Sequence, residues 1–146
     1  MRSRTRSGFT LLELLLVLSI MGIVVSMTVP NYLVYRQRAL ATEATIALET
    51  MAHLELVSIL ETGASIACEP APTAIPADRT PFAATETWQR LGFAPQGMVR
   101  YQYEIEKTGQ AGFVARARAD LDHDGLVGEY WLDGRDLELR SSNPGE

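Results

Sequence analysis

Three carboxylates at alternate positions, Asp120, Asp122 and Asp124, followed by Gly125, make a D-x-D-x-D-G run. Alternate carboxylates can converge on one hard cation. A glycine permits the sharp turn, and the main-chain carbonyl of Leu126 supplies a further oxygen, which is the chemistry of calcium. A complete loop of this type carries a bidentate glutamate at its twelfth position, where Trp131 stands instead. Glu129 or Asp133 would therefore have to close the shell in a loop of another shape. Without a cation, the same aspartates would accept hydrogen bonds from nearby backbone N–H groups and form a plain turn. No nucleophile triad, phosphate-cradling loop or carboxylate pair in an acid/base arrangement accompanies them. The sequence thus reads as that of a non-enzyme with no required cofactor, calcium being the one candidate ion.

A further acid, Glu13, is notable for its surroundings. Residues 14–29, LLLVLSIMGIVVSMTV, carry no charge, and the 21 residues from Phe9 to Val29 contain only Glu13. As a helix this run is roughly 30 Å long, the thickness of a bilayer's hydrocarbon layer. A helix apolar on every side needs to be surrounded, and the rest of this chain is too small to do so. Arg2, Arg4 and Arg6 precede the run and hold that end in the cytoplasm. After it, Thr28-Val29-Pro30-Asn31-Tyr32 offers no A-x-A pattern of the kind that ends an ordinary secretory signal. An ionised carboxylate at the start of such a helix costs on the order of a few kcal/mol unless it snorkels, protonates or meets a cation. If the chain were cut after Gly8, the new amine of Phe9 would lie one helical turn from Glu13. The two charges could then neutralise each other within one chain or between neighbours.

Gly8-Phe9-Thr10-Leu11-Leu12-Glu13, behind a short basic leader and ahead of the apolar run, resembles the class III signal of type IV prepilins and pseudopilins. The resemblance implies cleavage after Gly8 and methylation of the new Phe9 amine, both by a membrane-embedded prepilin peptidase/methyltransferase. It also implies a role for Glu13 in recruiting the subunit and aligning it with its neighbour. Pro30 lacks the N–H that would bond the Ser26 carbonyl, so a kink or local loss of helix is expected between Gly22 and Pro30. Pilins are similar in having a proline at the matching place. More loosely, Gly92-Phe93, Gly97, Tyr101, Tyr103, Phe113 and the run 120–125 resemble the globular part of some bacterial type IV pilins.

The function these resemblances imply is a structural subunit of a type IV pilus, self-associating into a helical filament. Its expected partners are the inner-membrane assembly platform and minor pilins. It would reside in the inner membrane as precursor and then in an extracellular pilus or periplasm-spanning fibre. A type II secretion pseudopilin, or a minor pilin that primes or caps a fibre, is the alternative of the same class. A signal-anchored periplasmic binding domain is the alternative of another class.

The chain has 146 residues, 13 Lys+Arg and 18 Asp+Glu, for a net charge of −5. Without the three leader arginines the balance is −8. Nucleic acid would need a basic face, so direct binding to it is not expected. A single cysteine, Cys68, excludes an internal disulfide and reads as a small buried hydrophobe.

These residues require an α+β, pilin-like scaffold. Expected are a leader at 1–8, a transmembrane and assembly helix at 9–30, the amphipathic half of that helix at 31–63, and a β-rich head at 64–146. Leu40, Ala44, Ala47, Leu48, Met51, Leu54 and Ile59 recur at helical spacing, with Glu55 interrupting the stripe and Gly63 ending the helix. Four prolines make 64–84 an irregular loop, 85–93 a helical turn with Trp88 and Phe93 as core plugs. Period-two alternation predicts strands at 99–106 and 112–119, with Arg116 and Arg118 facing Glu104 and Glu106, and further short strands at 129–132 and 136–140. This antiparallel sheet would pack on the amphipathic half of the helix.

Overall fold

A computed structural model describes residues 9–121 and 123–143, without the side chains at positions 30, 33, 34 and 37. The arrangement is α+β, an N-terminal helix followed by a short helix and a five-stranded antiparallel sheet. The chain divides into two compact units, Met1–Arg38 and Ala39–Glu146. Helix α1, Leu11–Thr62, begins in the first and ends in the second.

In the first unit the 19 residues Leu11–Val29 are apolar enough to cross a membrane, and none is buried within the chain. Their few hydroxyls are satisfied by the helix itself. Ser19 and Thr28 donate to the carbonyls four residues back, Leu15 and Val24, and Ser26 donates to Ile23, each at 2.8 Å. Such back-bonding removes the cost of placing a hydroxyl in an apolar medium. The helix continues through Gly22 and Pro30, so the loss of helix expected there does not occur in the single chain. One missing N–H removes a single bond, and the turns on both sides hold the conformation.

In the second unit the helical spacing places Ala44, Ala47, Leu48, Met51 and Ala52 in the core, with Leu54 and Ile59 partly buried against it. Gly63, at φ +75°, ends the helix and donates its N–H to the Ile59 carbonyl at 2.8 Å. Residues 64–84 are not wholly irregular. They contain β1 (Cys68–Ala71) and β2 (Thr80–Pro81). Pro70 is tolerated in β1 because that strand lies at the sheet edge and is irregularly paired with its neighbour. Helix α2, Glu86–Leu91, is closed by Gly92 at φ +81° and buries Trp88. The Trp88 indole N–H donates to the Glu69 carbonyl at 2.8 Å, and its ring meets Phe82 edge-on. Phe93 is buried beside them.

The strand expected over 99–106 is broken in two. β3 (Met98–Val99) pairs with β2, and β4 (Gln102–Lys107) enters the main sheet. The break has a tertiary cause: the Arg100 N–H donates at 2.8 Å to the Glu43 carboxylate on α1 and so leaves the ladder. β5 (Phe113–Ala119) alternates between buried and half-exposed residues, as its sequence predicts. β6 (Gly128–Asp133) and β7 (Leu139–Ser142) complete the order β1-β4-β5-β6-β7. β7 starts later than expected, because 134–138 form a turn in which the Leu137 N–H reaches the Asp133 carbonyl at 2.8 Å. On the outer face Arg116 contacts Glu106 and Arg118 contacts Glu104, with Glu129 3.4 Å and 3.6 Å from the two guanidiniums.

Glu55, which breaks the apolar stripe in sequence, is fully buried. Both its carboxylate oxygens accept the Ile66 N–H, at 3.1 and 3.2 Å, tying the loop after α1 to the helix. Burial raises its pKa above the ordinary carboxylate value, against the lowering effects of the Ile66 bond and nearby Lys107. The folded state therefore holds this proton more tightly than the unfolded chain does. Its contribution to stability is complete below the unfolded pKa and is lost as pH rises through the folded one. Urea unfolding of Glu55→Gln and wild type across a pH series is expected to show the difference moving in the variant's favour as pH rises from about 4. A flat or opposite trend would contradict this burial effect.

Candidate processing and assembly site

The first helical turn is built by the same residues that make the chemical motif. Phe9 and Thr10 precede the helix, and the Thr10 hydroxyl accepts the Glu13 N–H at 3.2 Å. Thr10 is thus the N-cap and Glu13 the third helical residue, the T-x-x-E spacing of a capping box. That spacing is legible in the sequence as well. The cap also places the acid in the first turn, where the helix dipole favours negative charge. Phe9, Leu11 and Leu12 are each more than three-quarters exposed. Glu13 therefore stands at one end of an apolar surface that none of the described residues covers. Gly8, the other half of the expected cleavage bond, lies outside the described residues, as does Asp122.

The acidic loop is occupied with its own backbone. Asp120 accepts the N–H groups of His123 at 2.8 Å and Gly125 at 3.2 Å, and Asp124 accepts that of Leu126 at 2.7 Å. His123 at φ +65° and Gly125 at φ +89° provide the left-handed turns these bonds require. Glu129 lies against Arg116 and Arg118, and Asp133 accepts the Arg135 N–H at 2.9 Å. The two residues expected to close a cation shell are thus held by other groups. Among the described residues no group of three His, Cys, Asp or Glu side chains is arranged to hold a metal.

Sequence reading did not anticipate the cluster around Glu43. Its carboxylate takes the Arg100 N–H, pairs with the Arg100 guanidinium at 3.1 Å and accepts the Tyr103 hydroxyl at 3.4 Å. Burial, reinforced by Glu43, raises the Tyr103 pKa above the usual phenol range. An open groove of about 490 Å³ lies beside it, bordered by Ile46, Thr50, Phe93 and Met98. Cys68 is buried, and burial pushes its thiol pKa up to about 12, which leaves it protonated and unreactive.

The prokaryotic N-terminal methylation motif matches residues 3–29. The chain therefore carries the type IV prepilin-type signal, the mark of a pilin- or pseudopilin-like precursor. A signal of this kind implies processing by prepilin peptidase. Together with the apolar helix it fits membrane anchoring of the precursor. No solved structure matches the chain.

Two outcomes test this local chemistry. Thr10→Ala in detergent micelles should speed amide exchange over the first helical turn by about fivefold, the equivalent of ~1 kcal/mol of capping, while Thr10→Ser retains protection. Asp120→Ala should lower thermal stability by about 1 kcal/mol to the same extent in chelator and in millimolar calcium. A loss seen only with calcium would instead assign the loop to the cation.

Proposed function

We propose that this chain is a structural subunit of a type IV pilus filament. It is made as an inner-membrane precursor, cut between Gly8 and Phe9, methylated at the Phe9 amine, and polymerised through the helix that follows. The observation that carries this reading is the prepilin-type signal at residues 3–29, overlapping an apolar span with no side chain buried by its own chain. The bond to be cut is adjacent to Phe9 and Thr10, which precede the helix. A peptidase can therefore take it in extended form without unwinding α1.

After cleavage the Phe9 ammonium and the Glu13 carboxylate are the charges at that end of the helix. Desolvation makes each costly alone and favourable when paired, within one subunit or between two. The second unit adds exposed apolar side chains on the helix, with Ile46, Val57 and Leu60 each at least half exposed. They would be covered in a filament. The assembly platform, the prepilin peptidase and minor pilins are the partners this route requires.

Mass spectrometry of the mature protein should find an N-terminal methylated phenylalanine. A chain beginning at Met1 would return it to the class of anchored monomeric domains. Glu13→Ala should leave membrane insertion intact and reduce incorporation into surface filaments by tenfold or more, read by immunoblot of sheared filaments. Normal incorporation would remove the alignment role from that carboxylate. A fibre confined to the periplasm would reassign the subunit to a secretion pseudopilus.

A further inference from the structure

Between Glu13 and Glu43 the chain carries only two charges, Arg36 and Arg38, both beyond the far end of the apolar span. Two tyrosines stand just before them. Tyr32 is 64% exposed, Tyr35 is 67% exposed, and Arg36 is exposed as well. All three belong to the first unit, and α1 is helical throughout this segment. The spacing i, i+3, i+4 puts Tyr32, Tyr35 and Arg36 within about 100° of one another on one helix face. At 1.5 Å per residue, they lie about 5, 9 and 10 Å beyond Val29 along the axis. A bilayer's polar layer extends about 5 to 8 Å beyond the hydrocarbon on each side. Tyr32 therefore falls at headgroup depth, and Tyr35 and Arg36 start just beyond it on a helix whose side chains lean back toward its N-terminus, which brings their polar ends within reach of a phosphate.

We propose that Tyr32, Tyr35 and Arg36 form an interfacial anchor that binds anionic phospholipid headgroups on the side of the membrane away from Glu13. Tyrosine is suited to that depth because its ring is apolar and its hydroxyl polar. Arginine is suited to phosphate because its planar fork donates two parallel hydrogen bonds. The occupant follows from charge and position: a cation on a face continuous with a lipid-exposed span meets phosphate first. The arginines also oppose the usual charge bias, being on the translocated side. Arg2, Arg4 and Arg6 outnumber them in the precursor, so orientation is set before cleavage and this pair then serves on the far side. The anchor fixes the depth of the unassembled subunit. This inference rests on Leu11–Val29 spanning a membrane and not on its polymerising.

The test uses the full-length chain reconstituted in phosphatidylethanolamine vesicles, with spin-labelled phosphatidylglycerol and phosphatidylcholine compared for motional restriction by the protein. The wild type should prefer phosphatidylglycerol. Arg36→Gln should lower that preference about fivefold, the equivalent of ~1 kcal/mol for one cation at an anionic surface. Arg36→Lys should keep most of it, and raised salt should reduce it. Tyr32→Ala/Tyr35→Ala should shift a label at the neighbouring Asn31 in depth without changing secondary structure. Equal restriction of both lipids, or a preference unchanged by Arg36→Gln, would overturn the anchor. So would a result in which Arg36→Gln weakens self-association alone, which would give Arg36 to the acidic second unit of another copy. Extraction of the protein by alkaline carbonate would mark failure of the span itself, separately from failure of the anchor.

Discussion

The second unit depends on a single shared core, in which the inner face of the sheet and one stripe of α1 bury each other. Ala115, Ala117 and Ala119 present methyl groups along the central strand β5, all without solvent exposure. Such small side chains leave room for the large ones in the same cluster, Leu48, Met51, Tyr101, Tyr103 and Phe113. Neither layer could stand alone, since a domain of this size buries too little surface to forgo half its core. The polar ties at the two ends of this stripe follow from the same packing. Glu43 reaches the backbone at Arg100, and Glu55 reaches the backbone at Ile66.

The first unit obeys the opposite constraint. Among the described residues nothing buries the apolar side chains of Leu11–Val29, and exposing that span to water would cost far more than one folded domain supplies. A bilayer answers that demand before assembly, and in the proposed filament other copies answer it afterwards. The charges are distributed accordingly. Glu13 stands at one end, Arg36 and Arg38 beyond the other, and the remaining acids lie in the second unit. The proposed function would require the helix to be at home in both surroundings, and a helix that satisfies its own hydroxyls is compatible with either.

Legibility in the sequence varied with the range of the interaction concerned. The strand β5 and the buried stripe of α1 were plain because period two and period 3.6 are local properties of the chain. Gly63 could be placed as a helix end because a glycine stop is also a local signal. Strand β1 was hidden by Pro70, since a proline argues against a strand unless the strand is known to be at an edge. The candidate calcium loop had the right residues in the right order. What its carboxylates bond depends on a backbone path that residue order does not specify, and that path turns Asp120 and Asp124 onto neighbouring N–H groups. The cap at Thr10 was available from spacing alone.

By itself the sequence determined the prepilin-type signal, the exposed apolar span and the α+β class, because each is written in contiguous residues whose chemistry needs no distant partner. Tertiary structure decided where β3 ends and β4 begins, since a carboxylate 57 residues away takes the Arg100 N–H. It also decided that Glu55 is an interior tie and not a break in the apolar face. Both outcomes turn on which backbone groups the fold brings beside an acid withdrawn partly, as Glu43, or wholly, as Glu55, from solvent, since such an acid is stable only where donors are waiting.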